Sequence, residues 1–93
     1  MAYEFEVIDV IWHHNRGDFI FARHLGNNHD FAVTEGAIFG DIPIYHYMET
    51  QTMKGWKSED PSVFVFKPVS MERLPENYFS NGQKVTLNIK ASD

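Results

Sequence analysis

Five histidines, His13, His14, His24, His29 and His46, carry the most obvious capacity for chemistry in this chain. Imidazole is a common ligand of transition metals, and a metal site needs three or four converging donors. His13 and His14 are neighbours in a strand-like segment, so their side chains should point to opposite faces. Either of them could meet His24 across a hairpin. The plainer reading, and the one preferred, is a set of surface histidines near turns. The carboxylates invite a hydrolytic reading, either as pairs drawn from Glu35, Asp41, Glu59 and Asp60 or as Asp9, Asp18 and Asp41 with a histidine. Acid–base work needs a fixed separation in a convergent pocket, and nothing in the spacing supplies one. The chain has no Cys, which excludes disulfides, thiolate–zinc sites and thiol nucleophiles. The expectation is therefore a protein that is not an enzyme, with no cofactor and no metal.

Arg16-Gly17-Asp18 spells an adhesion tripeptide, yet Asn15 to Asp18 is first of all a turn signal. Asp9 interrupts an apolar run; if buried, it needs a hydrogen bond or an ion pair. Phe19, Phe21, Tyr45, Phe64 and Phe66 alternate at core spacing, and most of them are expected inside. Tyr47, Trp56, Tyr78 and Phe79 lie in or beside loops, where they could form an exposed patch that meets protein rather than phosphate.

The elements that would position these residues are mostly period-two segments. Tyr3, Phe5 and Val7 alternate with Glu4 and Glu6, as in a strand with one face in the core. Ile8 to Trp12 is apolar on both faces apart from Asp9, which implies a more enclosed strand or a bulge. Phe19 to His24 is a second strand, close enough to the first for an antiparallel hairpin. Phe31–Val33 and Ile38–Phe39 are short strand candidates. Ile42 to Met48 follows, with Pro43 at an edge or at the strand start. Glu49 to Asp60 reads as a loop, and Ser62 to Val69 as a strand closed by Pro68. Ser70 to Phe79 holds at most one helical turn. Ser80-Asn81-Gly82-Gln83 is a tight turn, and Val85, Leu87 and Ile89 alternate with Thr86, Asn88 and Lys90.

With 93 residues, 43% hydrophobic and 15% aromatic, the chain is an ordered single domain spanning 1–93. Six to eight short strands and no sustained helical spacing make it all-β, a small closed or nearly closed antiparallel β-barrel. Closure removes the edge strands that an aromatic-rich sheet would expose. The N-terminus shows no signal-peptide pattern, and no apolar run approaches the roughly 20 residues of a membrane span, so a cytoplasmic protein without membrane contacts is expected. A net charge of −5 argues against DNA and disfavours RNA.

The order of several short segments resembles domain II of translational GTPases, the barrel best known from elongation factor Tu. Asp9-Val10, Arg16-Gly17 and Arg23 fall at the spacing of that family's opening hairpin. Gly40-Asp41-Ile42-Pro43-Ile44 is similar to its central segment. Val69-Ser70-Met71-Glu72-Arg73 and Asn81-Gly82-Gln83-Lys84-Val85-Thr86-Leu87 are similar to its closing segments. The region from Arg23 to Val69 is longer than in the family. The resemblance implies a barrel of that type, with Gly17 permitting the first turn and Arg16 and Arg23 available to neutralise Asp9 or Asp18.

The resemblance supports the fold more than the activity. No phosphate loop of the Gly-x-x-x-x-Gly-Lys-Ser/Thr type occurs, so GTP hydrolysis is not expected. In elongation factor Tu this domain also helps to hold the aminoacylated end of tRNA. The positions that match its residues there are Ile8, Ile11, Phe21, Ser70 and Lys84 here, and Asp9 alone keeps the family's residue. The reading is a non-catalytic binding or adapter module, working through a protein partner, with the translation machinery as one source, or through self-association. Its candidate binding residues are Asp9, Arg16, Gly17, Arg23, Trp56 and Lys84. One alternative is a module for tRNA or ribosomal RNA, with Arg16, Arg23, Lys84 and Lys90 as a basic patch. Another is a small metal protein or enzyme built on the histidines.

Overall fold

The computed structural model describes residues 2–28, 31–47, 62–70 and 72–89. Strands β1 (Ala2–His13), β2 (Gly17–His24), β3 (Ile38–Phe39), β4 (Ile42–His46), β5 (Val63–Pro68) and β6 (Lys84–Asn88) form an all-β, closed antiparallel barrel in the order β1-β2-β5-β4-β3-β6. The long β1 makes closure possible. Its first half pairs with β6, from Ala2↔Asn88 to Glu6↔Lys84, while most of its length pairs with β2. Of the expected strands, Phe31–Val33 is not one. Phe31 and Val33 instead lie half-buried against the core as a non-strand segment. The loop read at Glu49–Asp60 lies outside the described residues.

The dual character of β1 has a physical origin in a bulge. Val7 pairs with Ala22 and Asp9 pairs with Phe21, so Ile8 is the extra residue. A bulge shifts the alternation by one. Phe5 and Val7 point into the barrel, whereas beyond the bulge Val10 is the residue that packs against the core. The turn at Ser80–Gln83 completes the backbone hydrogen bonding at this point. Gly82 N donates to Val7 O at 2.7 Å, and Val7 N donates to Gln83 O at 2.8 Å. Gln83 N donates back to Ser80 O at 3.0 Å, which closes the turn read from the sequence.

The interior is aromatic. Phe5 is fully buried, with Phe39, Phe64 and Phe66 around it at centroid separations of 5.3–5.9 Å, all edge-on. Ile20, Ala22, Ile44, Val85 and Leu87 fill the spaces between these rings. Phe19, Phe21, Phe64 and Phe66 are buried as expected, though Phe19 and Phe21 lie outside the main cluster, and Tyr45 is not buried. Strand β2 is buried on both faces. Ile20 and Ala22 point inward, while Phe19 and Phe21 form a second cluster on the outer face with Val65, Ile8 and Tyr47. Tyr45 is 44% exposed on β4. Period two fixes which residues share a face, but where both sets are aromatic it does not fix which face is inner.

Gly17 opens β2 with φ of +85°, a conformation that costs an L side chain about 1–2 kcal/mol. A Cβ there would meet only Lys67 Nζ, at 3.9 Å, so the penalty of G17A is conformational rather than steric. The expected result is a drop of that size in urea-unfolding free energy with an unchanged m-value.

Candidate functional site

One mouth of the barrel is closed by the chain between Arg73 and Asn81. Leu74 and Phe79 from this segment pack against the core, and Phe79 meets Phe39 at 5.5 Å. Where the segment leans on β1 and the start of β2 it leaves a groove of about 300 Å³ lined by Asp9, Val10, Trp12, Asp18 and residues 73–79 and 81. Trp12 and Arg73 meet at its rim, the guanidinium carbon lying 5.1 Å from the indole centroid. That separation is within cation–π range.

Asp18 sits where the barrel wall joins the groove and is only 5% exposed. Its Oδ2 accepts a hydrogen bond of 2.8 Å from Leu74 N–H, which fastens the 73–81 segment to β2. Behind it lies Lys67, 7% exposed on the outer face of β5. The Lys67 ammonium donates to Arg16 O, stands 4.0 Å from the Phe19 ring centroid and lies 5.9 Å from that of Tyr47. Burial pushes its pKa below the ordinary 10.5, and the positive charge of Arg16 adds to the depression, while Asp18 opposes it. The Arg16–Gly17 turn, β5 and the groove segment are thus joined through one buried lysine and one buried carboxylate. This arrangement also disposes of the adhesion reading of Arg16-Gly17-Asp18, because the Asp18 side chain belongs to the barrel wall.

The residues singled out from sequence are not gathered at one place. Asp9 lines the groove, but it is exposed and so requires no buried partner; its Oδ1 accepts from Val10 N–H at 2.9 Å. Arg16 and Gly17 lie at the β1–β2 turn, with Arg16 contributing its carbonyl to Lys67. Arg23 and Lys84 lie farther along the wall, both in register with Glu6, one on each side of it. An acidic residue thus separates the two cations, and Arg16 is near the opposite end of β2, so these three form no continuous basic patch. Trp56 and Lys90 lie outside the described residues. Lys67, Trp12, Arg73 and Glu76 are groove and wall residues that the sequence pattern does not single out. The alternation that puts Phe64 and Phe66 inside also puts Lys67 outside, and this is the available signal for it.

The histidines are distributed differently from expectation. His13 and His14 do not diverge: their rings stack at 5.1 Å, because His14 has already left the strand. Neither can meet His24, since His24 pairs with Phe5 and His13 pairs with Gly17 at the other end of the hairpin. His24 is buried between Phe5 and Phe31, at 5.2 and 4.8 Å. His46 is half-buried against Phe64 at 5.1 Å. His24 is thus a core residue and His46 half-buried, while His13 and His14 are exposed at the turn as expected; His29 lies outside the described residues. Among the described residues, no three His, Asp or Glu side chains converge as metal ligands.

Burial lowers the His46 pKa from 6.5. In the window between the lowered value and 6.5 the unfolded chain binds more protons than the folded one, so stability falls as pH falls. Replacing His46 with Gln removes this contribution. Urea midpoints taken at about pH 7.5 and about pH 5 should therefore drop less for H46Q than for the natural chain.

Fold and site together define the class as a small closed antiparallel barrel with a grooved mouth. No family model, curated protein or solved structure matches the chain.

Proposed function

We propose that this chain is a non-catalytic adapter module that acts through protein contacts, comparable in role to domain II of translational GTPases. The observation that carries the reading is the groove at the barrel mouth, where Trp12 and Tyr78 stand among Asp9, Asp18, Glu76 and Arg73. Aromatic and arginine side chains are enriched at protein interfaces, and more carboxylates than cations line this groove. The closed wall behind it supplies the rigidity an adapter needs. The barrel connectivity also supports the reading, since β1 pairs with both β2 and β6 and so joins the segments that resemble the family's opening and closing strands.

Affinity capture from lysate, read by mass spectrometry, tests the role; recovery of translation GTPases or ribosomal proteins is the expected result. Salt-titrated binding to tRNA tests the RNA alternative. Phosphate contacts would make affinity fall steeply with added salt, and binding of that kind would replace the adapter reading.

A further inference from the structure

The groove's charges are not equally engaged. Arg73 is held over Trp12, and Asp18 Oδ2 is held by Leu74 N–H. Asp18 Oδ1 accepts no hydrogen bond from the described residues. Among those residues no fully buried side-chain oxygen lacks a partner, so this oxygen reaches the groove surface. A carboxylate that is 5% exposed, with one oxygen at the groove surface, offers that oxygen to a charged donor from outside, while Lys67 offsets its charge only from behind the wall. Asp9 and Glu76 are exposed and line the same groove, adding two negative charges near its opening. Trp12 takes a guanidinium on its face in this very structure, which demonstrates the kind of group the aromatic rim accepts.

We infer that this groove binds a basic peptide segment of a partner protein, receiving an arginine or lysine side chain between the open Asp18 oxygen and the Asp9 and Glu76 carboxylates. The inference rests on the adapter reading and names the chemistry of the partner. Phosphate-bearing ligands would meet three carboxylates there and are repelled. A guanidinium matches better than an ammonium, because it presents several donors in a plane that can lie along the Tyr78–Trp12 rim and still reach a carboxylate.

The test uses the full chain and a fluorescein-labelled hexa-arginine peptide, with the hexa-citrulline peptide as its neutral isostere. Fluorescence anisotropy gives affinities, and the Trp12 indole N–H resonance, assigned with W12F, reports the place of binding. The arginine peptide is expected to bind at least about tenfold more tightly than the citrulline one. It should move the Trp12 resonance, and the exposed double variant D9N/E76Q should weaken it by about five- to tenfold. D18N should weaken it as well, but this substitution touches the fold, so the comparison that decides is made with D9N/E76Q. The variant E4Q/E35Q removes the same charge from exposed positions that do not line the groove and should change affinity by less than about twofold. Equal losses from the two double variants, or a Trp12 resonance that stays in place, would overturn the inference. So would tighter binding of a labelled single-stranded RNA of the same length. A lysate partner that is still captured by D9N/E76Q would overturn the groove assignment and leave the adapter reading standing.

Discussion

Replacing Phe5 with Ala is expected to lower the stability of this barrel by about 3–5 kcal/mol, the range for deleting a fully buried aromatic ring. Phe5 has no exposed surface and meets His24, Phe31, Phe39, Phe64 and Phe66 at 5.2–6.3 Å. The loss includes the transfer of the ring and its edge-on contacts, together with the cavity left behind. Closure limits the repair, since β1 is held on both sides by ladders and cannot lean inward without breaking one of them. Domains of this size have about 5–15 kcal/mol in total, so F5A should lose a large share of the stability. Y45A is the matched control: Tyr45 is 44% exposed, and the expected change is within about 0.5 kcal/mol. Urea unfolding of both variants decides the matter. Similar losses at the two positions would mean that the inner and outer faces have been misassigned.

The pair Phe5 and Tyr45 also shows what the sequence can and cannot disclose. Phe5 alternates with Glu4 and Glu6, so polarity alone identifies the inner face. The same holds for Val85 and Leu87 against Lys84 and Asn88. The turn at Ser80–Gln83 emerges as read, with Gly82 at positive φ; the first turn lies at His14–Arg16, and Gly17, also at positive φ, and Asp18 already belong to β2. In β2 this logic has nothing to act on, because Phe19, Ile20, Phe21 and Ala22 are all apolar and all buried. Phe19 and Phe21 face outward because the bulge at Ile8 and pairing with β5 set the register, and both are tertiary facts. The bulge is readable as a change of pattern in Ile8–Trp12, but which residue is extra is not. His24 looks like a surface residue because histidine near a turn usually is one; here its ring fills a space between Tyr3, Phe5 and Phe31. The groove is the least legible feature. It unites residues from β1, the start of β2 and a non-strand segment more than fifty positions away, as the Leu74–Asp18 bond illustrates, and no local period encodes such a meeting. Among the described residues Asp9 is the single candidate binding residue that lines it, and the sequence marks it as the polar residue that interrupts an apolar run.

Lys67 should produce the second large effect, with a pH signature that distinguishes its charge from its packing. In K67M the apolar stem is retained and the charged donor to Arg16 O is lost. A hydrogen bond from a charged group contributes about 1.5–3 kcal/mol. Relief from burying the ammonium offsets part of this, so a loss near the lower end, about 1.5 kcal/mol, is expected for K67M. K67A removes the buried stem as well, at about 0.8 kcal/mol per methylene, and should lose about 1–2 kcal/mol more. The pKa of Lys67 is depressed below 10.5 chiefly by burial. Between that lowered value and 10.5 the folded chain has released the proton while the unfolded chain still holds it, so the contribution of Lys67 to stability rises with pH across the window. The neutral amine still donates to Arg16 O and no longer bears the cost of desolvation. Arg16 and Asp18 are the charged groups that face it. The stability gap between the natural chain and K67M should therefore widen from about pH 7 to about pH 10. A gap that stays constant would show that the ammonium is as well solvated when folded as when unfolded. A gap that narrows would mean its charged form is favoured there, with Asp18 outweighing burial. Because Asp18 also fastens Leu74, the same K67M sample should show perturbed amide resonances in the 73–81 segment, which would trace the connection from the β1–β2 turn through the wall to the groove.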